Sequence, residues 1–205
     1  CQFYLLDTAL NIMWKNHYFI HVKYINIAWE HSGEYFYLLF QKNSESVKAD
    51  WYILRINLED QSSETFLIER DYPLDLSEFE VVNNTLIFGG YANTRPAIVI
   101  YKFGENQPRV LPGFYMEKSS ILQIETDDDV RQFNVLTTVK ASGGKRSISM
   151  KSFDEEGEMI QNVNLQPSED RSLLYGSVIN IGSNFRMIAG TYTRKRSELS
   201  RGIFL

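Results

Sequence analysis

Cysteine occurs once in this 205-residue sequence, histidine three times and proline five times. One cysteine leaves no internal disulfide framework and no CxxC metal pair. No run of about 18 apolar residues occurs, so no helix is expected to span a membrane. No basic-then-apolar leader opens the sequence, and no signal peptide is expected within it. An excess of one charge is also lacking. The 21 Lys and Arg against 26 Asp and Glu give a net charge of −5, which excludes a uniformly basic nucleic-acid binder but leaves room for a local basic patch. Helical spacing is scarce as well. Its one weak window, near Asp7 to Lys15, contains Asn11 and is flanked by β-formers, so it reads as a turn between two strands.

What remains is apolar and aromatic. Hydrophobic residues make up 43% and aromatic residues 14%, too much for a disordered chain. The length suits one domain or a piece of one. Runs such as Tyr35-Phe36-Tyr37-Leu38-Leu39-Phe40, Trp51-Tyr52-Ile53-Leu54, Thr85-Leu86-Ile87-Phe88 and Ala97-Ile98-Val99-Ile100-Tyr101 are short and bounded by Gly, Asn, Asp, Ser or Pro, which is the strand signature. Polar breaks at 32–34, 83–84, 127–129 and 182–184 recur roughly every 50 residues, with a second series at 59–61, 104–106 and 154–157. Four strands per period is the beat of a propeller blade.

The expected fold is therefore all-β: a single β-propeller domain over 1–205, or part of one. It would hold about four blades, with pieces at 1–20, 24–70, 77–112, 119–165 and 173–205. The strands expected at 1–7 and 11–20 match the third and fourth strands of a blade, and the set at 173–181, 184–191 and 201–205 is short by one. This favours a fragment of a larger propeller over a four-bladed ring with swapped closure. An irregular β-sandwich is the other reading.

The segment Asn84-Thr85-Leu86-Ile87-Phe88-Gly89-Gly90-Tyr91, followed by Ala97 to Phe103, resembles a kelch-type blade. That family places two glycines at the end of the second strand and an aromatic residue in the third. Leu136-Thr137-Thr138-Val139 and Ile188-Ala189-Gly190-Thr191-Tyr192 are read as the same place in later blades, with no glycine in the first and one in the second. The kelch tryptophan is absent from the fourth strands, although Trp14 occupies a comparable place in the opening piece. The resemblance thus implies the propeller and not the narrower family. Neither a WD signature nor a Ser-x-Asp-x-Gly-x-Thr-Trp box occurs.

Catalytic and metal motifs are few. His17 and His21 stand four apart, a zinc spacing on a helix but about 13 Å along a strand; no metal and no cofactor is expected. No Gly-x-Ser-x-Gly elbow occurs. Asp127-Asp128-Asp129 and Asp154-Glu155-Glu156 lack the calcium-loop spacing and read as hairpin tips. Ser142-Gly143-Gly144-Lys145-Arg146 lacks the Walker spacing and precedes a strand, not a helix. A glycosidase needs a facing pair of carboxylates, for which Glu78, Glu80 and Glu125 are inner-strand candidates that nothing in the sequence singles out. Cys1 reads as a cropped position ahead of a lipidated one.

Charge sorts by turn. In an up-and-down blade, the turns between strands two and three share one face of the disc with the links between blades. Those turns hold Lys42, Lys48, Arg95, Lys140, Lys145, Arg146, Arg194, Lys195, Arg196 and Arg201, against Glu45, Asp50 and Glu198. The opposite turns hold Asp7, Glu34, Glu59, Asp60, Glu64, Glu105, Asp127 to Asp129, Asp154 to Glu156 and Glu158. The expectation is a non-catalytic scaffold whose partner-binding residues are Tyr91, Arg95, Lys145, Arg146, Tyr192, Arg194, Lys195 and Arg196. They would meet an acidic protein surface or an anionic glycan, with nucleic acid less favoured. The competing expectation is a glycoside-processing hydrolase or lyase with its pocket over the propeller channel. A third is an accessory domain of a larger bacterial envelope machine.

Overall fold

A computed structural model describes residues 2–42, 50–70, 72–115, 119–140, 145–166, 168, 171–181, 185–194 and 202–204. Cys1, Lys48, Lys195, Arg196 and Arg201 lie outside the described residues, as do the breaks at 43–49, 141–144 and 182–184. Among the described residues there are strands and turns without a helix, so no helix is long and apolar enough to cross a membrane.

The chain divides into two compact units, Cys1–Arg70 and Asp71–Leu205. In the first, β1 (Gln2–Leu6) pairs with β2 (Ile12–His17), and β3 (Tyr24–Ser32), β4 (Tyr35–Lys42), β5 (Trp51–Asn57) and β6 (Ser63–Ile68) form a four-stranded antiparallel meander. The weak helical window near 7–15, read as a turn between strands, is a turn over residues 7–11 that leads into β2. Asp7 Oδ1 accepts the backbone N–H groups of Ala9 and Asn11, and these bonds with the Asn11 side chain hold its carboxyl below the usual range.

The second unit holds three sheets. One is β7 (Asp75–Val82), β8 (Thr85–Ala92), β9 (Arg95–Lys102) and β10 (Arg109–Val110). Another is β11 (Ser119–Asp127), β12 (Gln132–Lys140), β13 (Arg146–Asp154) and β14 (Met159–Leu165). The last is β15 (Ser172–Ile181), β16 (Phe185–Thr193) and β17 (Gly202–Phe204). Strand order follows chain order in every sheet, and β11, the first strand of its sheet, touches both β7 and β15. First strands side by side, middle strands sandwiched and last strands outermost are the arrangement of propeller blades. The chain is all-β, a partial β-propeller of about four blades.

Burial follows strand position. The middle strands β8, β9, β12 and β13 are covered on both faces, whereas β10 and most of β14 are exposed. This explains the continuous apolar runs in place of alternation. The last strand of the second meander was expected over 107–112 and is only Arg109–Val110. Pro108 and Pro112 bracket it and supply no N–H donor.

The core lies between sheets. Ile87, Ile98 and Ile100 meet Ile124, Phe133, Val135 and Phe153 across the β7–β10 and β11–β14 sheets. Phe133 and Phe153 stack with centroids 5.2 Å apart. Leu136, Ile148 and Met150 meet Leu173 and Val178 across the next gap. In the first unit, Leu38, Phe40, Leu54 and Ile56 pack against Phe3 and Trp14. Each fully buried side chain of this size contributes about 1.5–3 kcal/mol relative to exposure.

One device recurs in every first strand. β3, β7, β11 and β15 each carry a bulge, at Ile27, Ser77, Leu122 and Leu174. A bulge adds an unpaired residue and sharpens twist at a fixed place. Ile27, Leu122 and Leu174 are aliphatic and Ser77 is not, so residue type alone does not mark the position.

Candidate binding face

The bulges supply a common register. Aligned on them, Gly89-Gly90 corresponds to Leu39-Phe40, Leu136-Thr137 and Thr191-Tyr192. Gly190, read from sequence as the surviving glycine of the pair, falls one position short, opposite Gly176. The pair itself answers to packing. A Cβ at Gly89 would lie 2.6 Å from Ile124 Cδ1, and one at Gly90 would lie 2.3 Å from the Asp75 carbonyl oxygen.

The same register aligns Glu30, Glu80, Glu125 and Ser177, each three residues past its bulge. Glu125 is woven into the gap between β11 and β15. Gln123 Nε2 donates to Glu125 Oε2 at 2.8 Å, and Gln123 Oε1 accepts from Ser177 Oγ at 2.7 Å and from the Val178 N–H at 2.9 Å. Asn180 Nδ2 donates to Glu125 Oε1 and to the Thr126 carbonyl. This network pins one blade to the next. Glu78 is half-buried beside Gly89, and burial pushes its carboxyl above the ordinary value.

The acidic end of the second unit is cross-linked. The Asn83 N–H donates to Asp128 Oδ1, Asn83 Nδ2 to Glu155 Oε2, and Thr85 Oγ1 to the Glu155 carbonyl. Cations there are tied down: Lys102 pairs with Glu156, Arg131 with Glu155 at 3.6 Å, and Arg109 donates to the Glu156 carbonyl. Asp127, Asp128 and Asp129 line a shallow hollow with Thr126 and Asn180. Among the described residues no group of three His, Cys, Asp or Glu side chains is placed to hold a metal. His17 closes β2, and His21 lies beyond the strand with its Nδ1 accepting the Lys23 N–H.

The other end gathers the basic residues. Arg95 begins β9 just after the Asn93-Thr94 turn, whose left-handed backbone (φ 50° and 68°) gives a tight hairpin. Arg95 Nη1 donates to the Tyr115 carbonyl at 3.3 Å, and its guanidinium lies 4.9 Å over the Tyr115 ring. Lys140 and Arg146 face each other across β12 and β13, and the Arg146 N–H donates to Ser172 Oγ at the start of β15. Arg95, Lys140, Arg146 and Arg194 are exposed and Lys145 is half-buried, while Asp75 is the acidic residue at this end among those described.

The two tyrosines expected at this face have structural contacts. Tyr91 is half-buried and its hydroxyl accepts the Ile121 N–H, joining β8 to β11. Tyr192 packs on the β13–β15 core, with the Arg171 guanidinium 4.3 Å over its ring. Tyr115 and Arg171, missed from sequence, sit in the links between blades, where no periodic pattern exposes them. The first unit carries a separate feature, an apolar groove of about 470 Å³ lined by Phe3, Trp14, Trp29, Phe36, Leu38 and Ile56.

No protein-family model and no curated protein matches the chain. Solved structures do. The chain is similar to an acylaminoacyl peptidase in complex with Z-Gly-Gly-Phe-chloromethyl ketone, at 16% identity and a TM-score of 0.53, over 82% of this chain and 28% of that one. It is similar to the Pyrococcus horikoshii acylaminoacyl peptidase at 17% identity and a TM-score of 0.54, over 87% of this chain and 29% of that one. The β-propeller domain of the Trilobed protease from Pyrococcus furiosus matches at 13% identity and a TM-score of 0.47, over 82% of this chain and 54% of that one. At these identities the likeness to the two peptidases speaks for fold alone, and the chain spans less than a third of the length of either.

Proposed function

We propose that this propeller scaffold is a non-catalytic binding module that engages an anionic partner, an acidic protein surface or an anionic glycan, through the basic end of residues 71–205. One observation carries the reading: charge is split between the two ends of the same sheets. At the acidic end the cations are tied to carboxylates and carbonyls. At the basic end Arg95 rests on a carbonyl and a ring, neither of which cancels its charge. A one-signed surface raises encounter rates with opposite charge and is screened over about 10 Å at 0.1 M salt. Lys195 and Arg196 belong to this proposal by their place in the sequence.

The kelch-type reading is supported in one blade by the close approach at Gly89 and Gly90. The alternative, a glycoside-processing enzyme, needs two carboxylates across one bond. Glu125 has both oxygens engaged by Gln123 and Asn180, which supports a blade-joining role instead.

The test is cation-exchange retention. A chain of net charge −5 should pass a carboxymethyl matrix at pH 7 unless one face is basic. Retention at low salt, release near 0.1 M salt, and its loss in an Arg95→Glu/Arg146→Glu variant are the expected results. Flow-through of the unaltered protein at low salt would end the reading.

A further inference from the structure

We infer that Lys151 is a positioning residue of the basic end, holding the Arg95 guanidinium in place through the turn that runs from Gly113 to Tyr115; the inference rests on the binding-face reading above. Lys151 lies within β13 and is 6% exposed. An ammonium is costly to bury unless it is hydrogen-bonded, so its place is tied to the acceptors it finds. Its Nζ donates to the Gly113 carbonyl at 2.9 Å and lies 4.7 Å from the centroid of the Phe114 ring. Gly113 has φ 88°, a left-handed backbone that glycine takes without strain, and the bond from Lys151 fixes the peptide that leaves it. Phe114 is buried at 1% exposure, with its ring 5.8 Å from that of Phe153, two residues along the same strand as Lys151. The start of this link is tied to β9, the strand that Arg95 begins, by the Leu111 N–H donating to the Ile98 carbonyl at 2.8 Å. Tyr115 follows Phe114 and reaches the surface, and both its carbonyl and its ring meet the Arg95 guanidinium. An exposed arginine loses rotamer freedom when it binds, and one that is already held loses less. A held planar fork also keeps its remaining donors aimed at the oxygens of an anion. A core lysine of the β11–β14 sheet thus sets the aim of a surface arginine on the β7–β10 sheet.

The Arg95 Nε–H resonance in a heteronuclear NMR spectrum tests this, because an aromatic ring beneath the guanidinium shifts it. Arg95→Lys identifies the signal by its loss, and Tyr115→Ala gives its position without the ring. In Lys151→Met, similar in length but without a donor, the signal should move most of the way to the Tyr115→Ala position. Tyr115→Phe, which keeps ring and carbonyl, should leave it in place. Titration of the same signal with inorganic phosphate should need several-fold more anion in Lys151→Met than in the parent. An unmoved signal or an unchanged titration in a folded Lys151→Met protein would make Lys151 a stabilising residue alone and overturn the inference. If that variant does not fold, Phe114→Leu, which removes the ring under the ammonium, takes its place and must shift the signal the same way. A parent that is retained on the carboxymethyl matrix but shows no phosphate response at Arg95 would overturn the inference and leave the basic face standing. Flow-through of the parent at low salt would remove both.

Discussion

Gly89 and Ile124 interlock across two sheets: the δ-methyl of Ile124 occupies the space where a Gly89 side chain would begin, 2.6 Å from an ideal Cβ. Ile124 is itself buried at 1% exposure in the core shared by β7–β10 and β11–β14. A missing side chain on one blade is thus the seat of a large one on the next, and the spacing of the two sheets depends on both.

Substitution of the paired glycines should therefore give unequal losses. Gly89→Ala displaces the flexible tip of Ile124 and should cost about 1–3 kcal/mol, the range for overpacked cores. Gly90→Ala meets the Asp75 carbonyl at 2.3 Å and Leu76 Cα at 3.1 Å, main-chain atoms that cannot rotate aside. Its loss should be the larger. Urea unfolding midpoints of the two variants decide the order, and a Gly90→Ala protein as stable as its parent would refute the close approach.

Removing the amide of Gln123 should loosen one seam. In Gln123→Ala the Val178 N–H and Ser177 Oγ lose their acceptor, and Glu125 loses a donor. Leaving such groups unmade costs about 1–3 kcal/mol. Amide hydrogen exchange should show Val178 opening faster with Val135 little changed. Unaltered protection at Val178 would deny the network its role in joining blades.

Stability should fall as Glu78 ionises. Burial raises its folded-state value above the unfolded 4.5, so the folded protein binds the proton more tightly than the unfolded one. Stability is then fullest below 4.5 and declines as pH climbs through the raised value. Glu78→Gln should gain on the parent at neutral pH and lose that advantage below 4.5. Denaturation curves at the two pH values check it; a constant difference across them would contradict the assignment.

Strand content and blade rhythm were open to reading in the sequence because they are local. Tyr35 to Phe40 and Ala97 to Tyr101 read as strands by their aromatic and branched residues and by the turn residues that bound them. The sorting of Arg95, Lys145 and Arg146 from Asp127 to Asp129 also followed from counting turns. The bulges at Ile27, Ser77, Leu122 and Leu174 were not open to it, because a bulge is a pairing relation that an aliphatic residue within a strand does not announce, and Ser77 breaks even that pattern. Without that frame the sequence reads Gly190 as the surviving glycine of the pair, one position from its place in the register. The roles of Tyr91 and Tyr192 were hidden for a related reason. Whether a tyrosine at a strand end faces a ligand or the neighbouring blade depends on what packs beside it, here Ile121 and Arg171. Periodicity and turn spacing determined most of the strands and the ends at which Arg95, Arg146 and Asp127 to Asp129 fall. Only the packing of one sheet on the next decided that Tyr91 and Tyr192 are engaged by neighbouring segments and that Glu125 is bound by Gln123 and Asn180.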